Sequence, residues 1–117
     1  MTKSIELMRE SDVYSKDGIV LTEKIYASEG IEFTRVSLSL GKNSVLVIPI
    51  DENSNYLLVE QKRAISDKTM IEFPNGGIEK GEAELDAAKR ELSEELGLEG
   101  EMVYLGKFAP FSNLVKL

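Results

Sequence analysis

Residues 76–98, GGIEKGEAELDAAKRELSEELGL, carry the clearest helical period in the chain and are punctuated by glycines. The periodic run follows Gly81 and stops at Gly97. This predicts a helix over about 82–96 that ends in the left-handed conformation at Gly97. Leu85, Ala88, Leu92 and Leu96 form one narrow apolar stripe. At about 100° per residue, Glu84, Glu91 and Glu95 fall on one face beside that stripe, Glu94 lies next to them, and Asp86 points to the opposite flank. Glu91 and Glu95 stack one turn apart, a repulsive spacing that Lys89 and Arg90 offset only in part.

The remaining chain reads mainly as strands. GIVLTEKIYA (18–27) follows the turn SKDG, and IEFTRVSLSL (31–40) follows SEG. The second run changes phase between Phe33 and Val36, so a bulge or twist is expected near Arg35. SVLVIPI (44–50) is almost wholly apolar and is expected to be a buried central strand. DENSN is a turn signal, and YLLVEQKR (56–63) is expected to complete a hairpin with the run before it. A short strand, MIEF (70–73), leads into PNGG, and an apolar stretch, MVYLGKFAPF (102–111), follows the helix.

With 117 residues, the chain fits one domain with a modest core. It has no cysteine, hence no disulfide framework and no thiolate metal site. It has no histidine, which removes the commonest general base and transition-metal ligand. Catalysis must therefore draw on carboxylates, Lys, Tyr, Ser or a metal. VLVIPI is the longest apolar run, too short to span a bilayer, and the N-terminus carries no signal-like segment. A cytoplasmic chain with no membrane partner is expected. The net charge of −7 opposes binding to a nucleic-acid backbone. It leaves phosphate substrates open, because bound cations invert the local field.

The acidic helix has two readings from its residues alone: a solvated surface helix, or a site for divalent cations. Glu91, Glu94 and Glu95 lie in its C-terminal half, where the helix dipole disfavours them. The preceding FPNGGIEKG suits close approach of backbone to a ligand. Glutamates at i, i+3 and i+4 facing a loop carbonyl make a hard oxygen set suited to Mg²⁺ or Mn²⁺.

This stretch resembles the Nudix box, G-x5-E-x7-R-E-U-x-E-E-x-G-U with U a bulky aliphatic. Gly76, Glu82, Arg90, Glu91, Leu92, Glu94, Glu95, Gly97 and Leu98 match without departure. The resemblance implies an α+β fold, the Nudix α/β/α sandwich with a mixed sheet. It also implies hydrolysis of a nucleoside diphosphate linked to another group, by water attack at phosphorus. Glu91 and Glu95 would be metal ligands, Glu94 a ligand or auxiliary base, and the backbone carbonyl of Asn75 or Gly76 a further ligand. Arg90 and Glu82 would hold loop and helix together. LLVEQKR and EFPNG further resemble the branch that cleaves ADP-ribose and other nucleotide sugars. There Arg63 matches an arginine that contacts substrate phosphates, Arg35 is a weaker candidate for reaching a nucleotide or an ordinary exposed strand arginine, and Glu72 would either bind substrate or, the favoured role, cap the loop. That branch pairs or swaps its N-terminal strands across a two-fold dimer, which assigns residues 1–40 to dimer contact and 41–117 to the catalytic core of one domain.

Two departures stand out. Asn75 replaces the branch's usual alanine, and no acidic residue follows Glu101, where the branch carries a further glutamate before a terminal helix. A missing C-terminal strand and helix are therefore expected, with a partner or Glu94 standing in. Three functions remain in play: a Mg²⁺-dependent nucleotide-sugar hydrolase, a Nudix enzyme for triphosphates, dinucleotides, NADH or FAD, and a binding or impaired Nudix module.

Overall fold

Two dipeptides shape the N-terminal half. Asp17-Gly18 (φ 52 and 81) and Glu29-Gly30 (φ 51 and 79) both sit at positive φ, the two-residue turn that matches strand twist. They connect β1 (Glu6–Lys16), β2 (Ile19–Ser28) and β3 (Ile31–Ser39) into an antiparallel meander. The computed structural model describes residues 3–109 and 115–116. The remaining elements are β4 (Ser44–Leu46), β5 (Val59–Arg63), β6 (Lys68–Glu72), β7 (Asn75–Gly77), α1 (Glu84–Leu96) and β8 (Val115–Lys116). β8 lies parallel to β3, so the four-stranded sheet, in the order β1-β2-β3-β8, is mixed. The expected α+β class is the one observed.

The chain divides into two compact units, one built on the four-stranded sheet and one spanning Ser44–Leu105. Among the described residues, full burial occurs only in the second unit, at Val47, Pro49, Val59, Pro74, Ala87, Glu91 and Leu92. There β4 pairs antiparallel with β7, β5 pairs antiparallel with β6, and α1 contacts β7 and β4.

Several local expectations need correction. The bulge lies away from Arg35: the β2–β3 register runs unbroken from Val20↔Ser39 to Ser28↔Ile31. The register shifts fall instead in β1–β2, between Leu7 and Arg9 and between Asp12 and Tyr14. Val36, Ser37, Leu38 and Ser39 are all half-buried, so β3 has no single inward face for its phase to obey. β1 itself is exposed throughout, which explains why its sequence shows no alternation. The 44–50 run is not covered on both faces. Val47 and Pro49 are buried, whereas Leu46, Ile48 and Ile50 are exposed. Pro49 has no N–H with which to continue a ladder. The expected hairpin with 56–63 reduces to the bridge Ile50↔Tyr56 and the bond from Leu57 N–H to Pro49 O (3.1 Å), while β5 turns to β6. The 102–109 stretch carries no regular structure, and residues 110 and 111 lie outside those described.

The DENSN turn is organised by Asp51. Its Oδ1 accepts the N–H groups of Asn53 (2.8 Å) and Asn55 (2.9 Å), and its Oδ2 accepts the Asn55 amide (3.1 Å). These bonds, led by the Asn55 N–H and then the Asn55 side chain, hold the Asp51 carboxyl below its ordinary value. Their contribution is therefore complete above the unfolded value of 3.8 and is lost as pH falls through the lower folded one. The stability gap between wild type and Asp51→Asn, read by urea unfolding, should hold down to about pH 4 and narrow below it. A gap that stays constant would contradict this account.

The helix stops where expected. Gly97 takes φ 66 and ψ 25, and its N–H bonds Ser93 O at 2.9 Å. A Cβ there would touch nothing within 4 Å. Gly97→Ala should thus cost only backbone strain, about 1–2 kcal/mol in urea unfolding. A larger loss would point to a contact at this end of the helix.

Candidate functional site

The face that α1 turns inward differs from the expected stripe. Leu85 is 50% exposed, while Ala87 is 0%, Leu92 6% and Glu91 8% exposed. The buried side therefore centres on Ala87, Glu91 and Leu92, so part of the acidic face is covered while Glu84 and Glu94 stay exposed. A charge in such a place is tolerable only if it is paired or bound.

Arg90 supplies the pairing. Its Nε donates to Glu82 Oε2 and its Nη2 to Glu82 Oε1, both at 2.9 Å. Nη2 also donates to Gly77 O at 2.9 Å, and Nη1 to Glu91 Oε1 at 2.7 Å and Glu94 Oε2 at 3.3 Å. One planar guanidinium thus ties the helix to the loop before it, a task its fixed fork suits and a lysine's does not. The carboxylates of Glu82 and then Glu91 raise the Arg90 pKa well above its ordinary value. Glu82 also accepts the Glu79 N–H at 3.0 Å, while Glu82 N–H donates to Glu79 O at 3.0 Å. This small ring closes the loop, and Ala83 enters the helix without a side-chain cap.

Gly76 matters for a different reason. A Cβ added there would fall onto the Glu91 carboxylate. The glycine lets that carboxylate lie directly against the backbone of β7, next to Asn75. The Asn75 side-chain amide donates to Phe73 O at 2.8 Å and also helps to lower the Glu72 pKa, so its side chain lies beside Glu72 as well.

Among the described residues, no three acidic side chains already converge as a metal-holding group. Glu91 is drawn to Arg90, and the Glu94 side chain is 59% exposed. Glu95 stands apart: its Oε2 is buried and has no hydrogen-bond partner. A buried acceptor without a donor is rare, and a carboxylate in that state is a ready ligand for a hard cation. Glu95 and Glu91, one turn apart, are the donors best placed to share one, with the Asn75–Gly76 backbone beside Glu91.

Arg63, expected at the substrate phosphates, and Glu72, expected at the substrate or as a loop cap, are bound to each other. Arg63 Nε donates to Glu72 Oε2 at 2.8 Å and Nη2 to Oε1 at 2.6 Å. The pair raises the Arg63 pKa and lowers that of Glu72. The sequence offered no signal for this partnership, because nine positions separate the two residues and only the β5–β6 ladder joins them. Arg35 lies in the other unit, with its guanidinium 4.8 Å from the Phe33 ring centre and Nη1 on Thr34 O at 2.9 Å. A cavity of about 310 Å³ is lined by Lys89, Leu92, Ser93, Glu99, Gly100 and Met102, none of them site acids.

Known proteins resemble this chain in sequence and in fold. A family model described as the NUDIX domain matches residues 41–114. The methanol dehydrogenase activator of Bacillus methanolicus is 43% identical over 67 residues, covering 56% of this chain and 36% of that protein. The crystal structure of an ADP compounds hydrolase superposes with a TM-score of 0.81 at 18% identity, covering 98% of this chain and 62% of that one. The chain thus spans about a third of the curated relative's length and under two thirds of the solved structure's. At that identity, the structural likeness shows the fold alone.

Because Gly76 is an absence of side chain and not a conformational need, Gly76→Ala should act by collision. It is expected to displace Glu91 and destabilise the chain by about 1–3 kcal/mol in urea unfolding. Wild-type stability in this variant would show that the Glu91 carboxylate lies elsewhere.

Proposed function

The chain belongs to the Nudix family, and on that premise we propose that it hydrolyses the pyrophosphate bond of a nucleoside diphosphate linked to another group. The preferred substrate class is ADP-ribose or another nucleotide sugar. The observation that carries this reading is the buried, unpartnered Glu95 Oε2 on a helix whose neighbouring acid, Glu91, is seated against Gly76. Glu95 and Glu91 would hold Mg²⁺ or Mn²⁺, with the Asn75 or Gly76 carbonyl as a backbone ligand. Arg90 occupies Glu91 Oε1 and leaves Oε2 for that purpose.

A divalent cation at this place supplies charge neutralisation on the diphosphate oxygens and activation of the attacking water. The chain's own residues do the rest. Glu82 and Arg90 keep the loop and helix in one arrangement. Glu94, exposed and held only by a 3.3 Å bond, is free to turn toward a water as auxiliary base. Arg63 offers a fixed positive charge to the diphosphate. Water adds to one phosphorus and the bridging P–O bond breaks, so ADP-ribose would yield AMP and ribose 5-phosphate. The resemblance of LLVEQKR and EFPNG to the nucleotide-sugar branch supports this substrate class.

The methanol dehydrogenase activator favours a second reading. In it the same box serves a dehydrogenase system, either acting on a dinucleotide such as NADH or FAD or working as a regulatory module. Pairing of two copies through the N-terminal strands belongs to either reading. It is supported by the exposed side chains of Leu7, Met8, Val13 and Tyr14 on edge strand β1.

Mg²⁺-dependent release of AMP from ADP-ribose is the deciding measurement, followed by NADH, FAD and dinucleotides under the same conditions. Glu95→Gln should lower metal-dependent turnover roughly a hundredfold or more with a wild-type melting curve. Full turnover in that variant would remove Glu95 as a ligand, and no turnover of any diphosphate by wild type would favour the regulatory reading.

A further inference from the structure

The Arg63–Glu72 pair lies outside the acidic helix and its loop, and its geometry is unusual for an exposed strand pair. In the β5–β6 ladder Val59 faces Glu72, and Arg63 faces Lys68. Arg63 and Glu72 therefore share one face but stand at opposite ends of a five-residue hairpin. Each side chain must lie along the sheet to reach the other, and they meet through two bonds of 2.8 and 2.6 Å. A bidentate arginine–carboxylate contact fixes the guanidinium plane as well as its position. Glu72 takes the Nε edge, which leaves Nη1 without a protein partner among the described residues. The side chains are 44% and 23% exposed, so the guanidinium remains open to solvent while its anchor is more covered. Two neighbours reinforce the arrangement. The Asn75 amide adds its dipole to Glu72, and the Glu95 carboxylate contributes to the field that keeps Arg63 charged.

An unheld arginine would lose rotamer freedom on gripping a phosphate. One already fixed by a carboxylate gives up much less, and it still has N–H groups to offer. We propose that Glu72 is a positioning residue, which clamps Arg63 by its Nε edge and holds the remaining N–H groups out for the substrate's diphosphate. This inference rests on the hydrolase reading for its substrate. It changes the role expected for Glu72, which acts through Arg63 and does not itself touch the ligand.

The test uses the full chain with Glu72→Ala, Glu72→Gln, Arg63→Ala and the Arg63→Ala/Glu72→Ala double variant. Two quantities are read: binding of inorganic pyrophosphate in excess Mg²⁺ by calorimetry, and KM against kcat for ADP-ribose. Glu72→Ala should weaken pyrophosphate binding and raise KM about tenfold, with kcat changed much less. Glu72→Gln, which keeps one acceptor, should recover part of the loss and covers the case in which the alanine variant does not fold. On the Arg63→Ala background, removing Glu72 should add nothing. The proposal is overturned if Glu72→Ala and Glu72→Gln leave Kd and KM unchanged, if the two losses add in full, or if wild type does not bind pyrophosphate. Pyrophosphate binding that depends on both residues, without any AMP release, would sink the hydrolase reading and leave the clamp standing. AMP release with unchanged KM in both Glu72→Ala and Glu72→Gln would do the reverse.

Discussion

The second unit depends on the guanidinium of Arg90. A helix with Glu84, Asp86, Glu91, Glu94 and Glu95, and no basic residue in its last turn, is electrostatically ill-suited to lie with its acidic side inward. Arg90 makes that orientation possible. It meets Glu91 on its own helix, Glu82 at the helix entrance and the Gly77 carbonyl on β7. Every other feature of the site follows from that placement. Glu91 is buried because Arg90 neutralises it, Gly76 must lack a side chain because Glu91 lies against it, and Glu95 is carried to a covered position one turn further on.

Much of this was legible in the residue order, and the reason is local. While the tie between Arg90 and Glu82 came from the resemblance alone, Gly97 as a left-handed stop and the acids grouped by helical angle depend on residues within a few turns of one another. The turns at Asp17-Gly18 and Glu29-Gly30 were marked by their glycines for the same reason. What escaped the sequence lies at longer range. β1 has no alternation because neither face is covered. The 44–50 run looks like a central strand by composition, yet Pro49 ends the ladder and every second side chain from Leu46 to Ile50 is exposed. The inward face of α1 was misjudged by a fraction of a turn, since hydrophobicity assigns Leu85 to the core and cannot foresee that a paired glutamate will displace it. The bond between Arg63 and Glu72 is set by strand register, which no local pattern encodes.

The site thus combines two kinds of arginine. Arg90 is saturated by acceptors from three chain segments and is structural in consequence. Arg63 is held on one edge only and keeps donors in reserve. The same residue type serves opposite ends because the number of acceptors around each differs, and not because their intrinsic chemistry does.

Arg90's reach across the loop also bears on how this region breathes. Because one side chain fastens Gly77, Glu82 and Glu91 together, the loop cannot lift from the helix without stranding several carboxylates at once. Opening of the loop is consequently coupled to the second turn of the helix, where Arg90 and Glu91 lie. A loop and helix fastened this way have few intermediate arrangements, so the tie is either formed or lost.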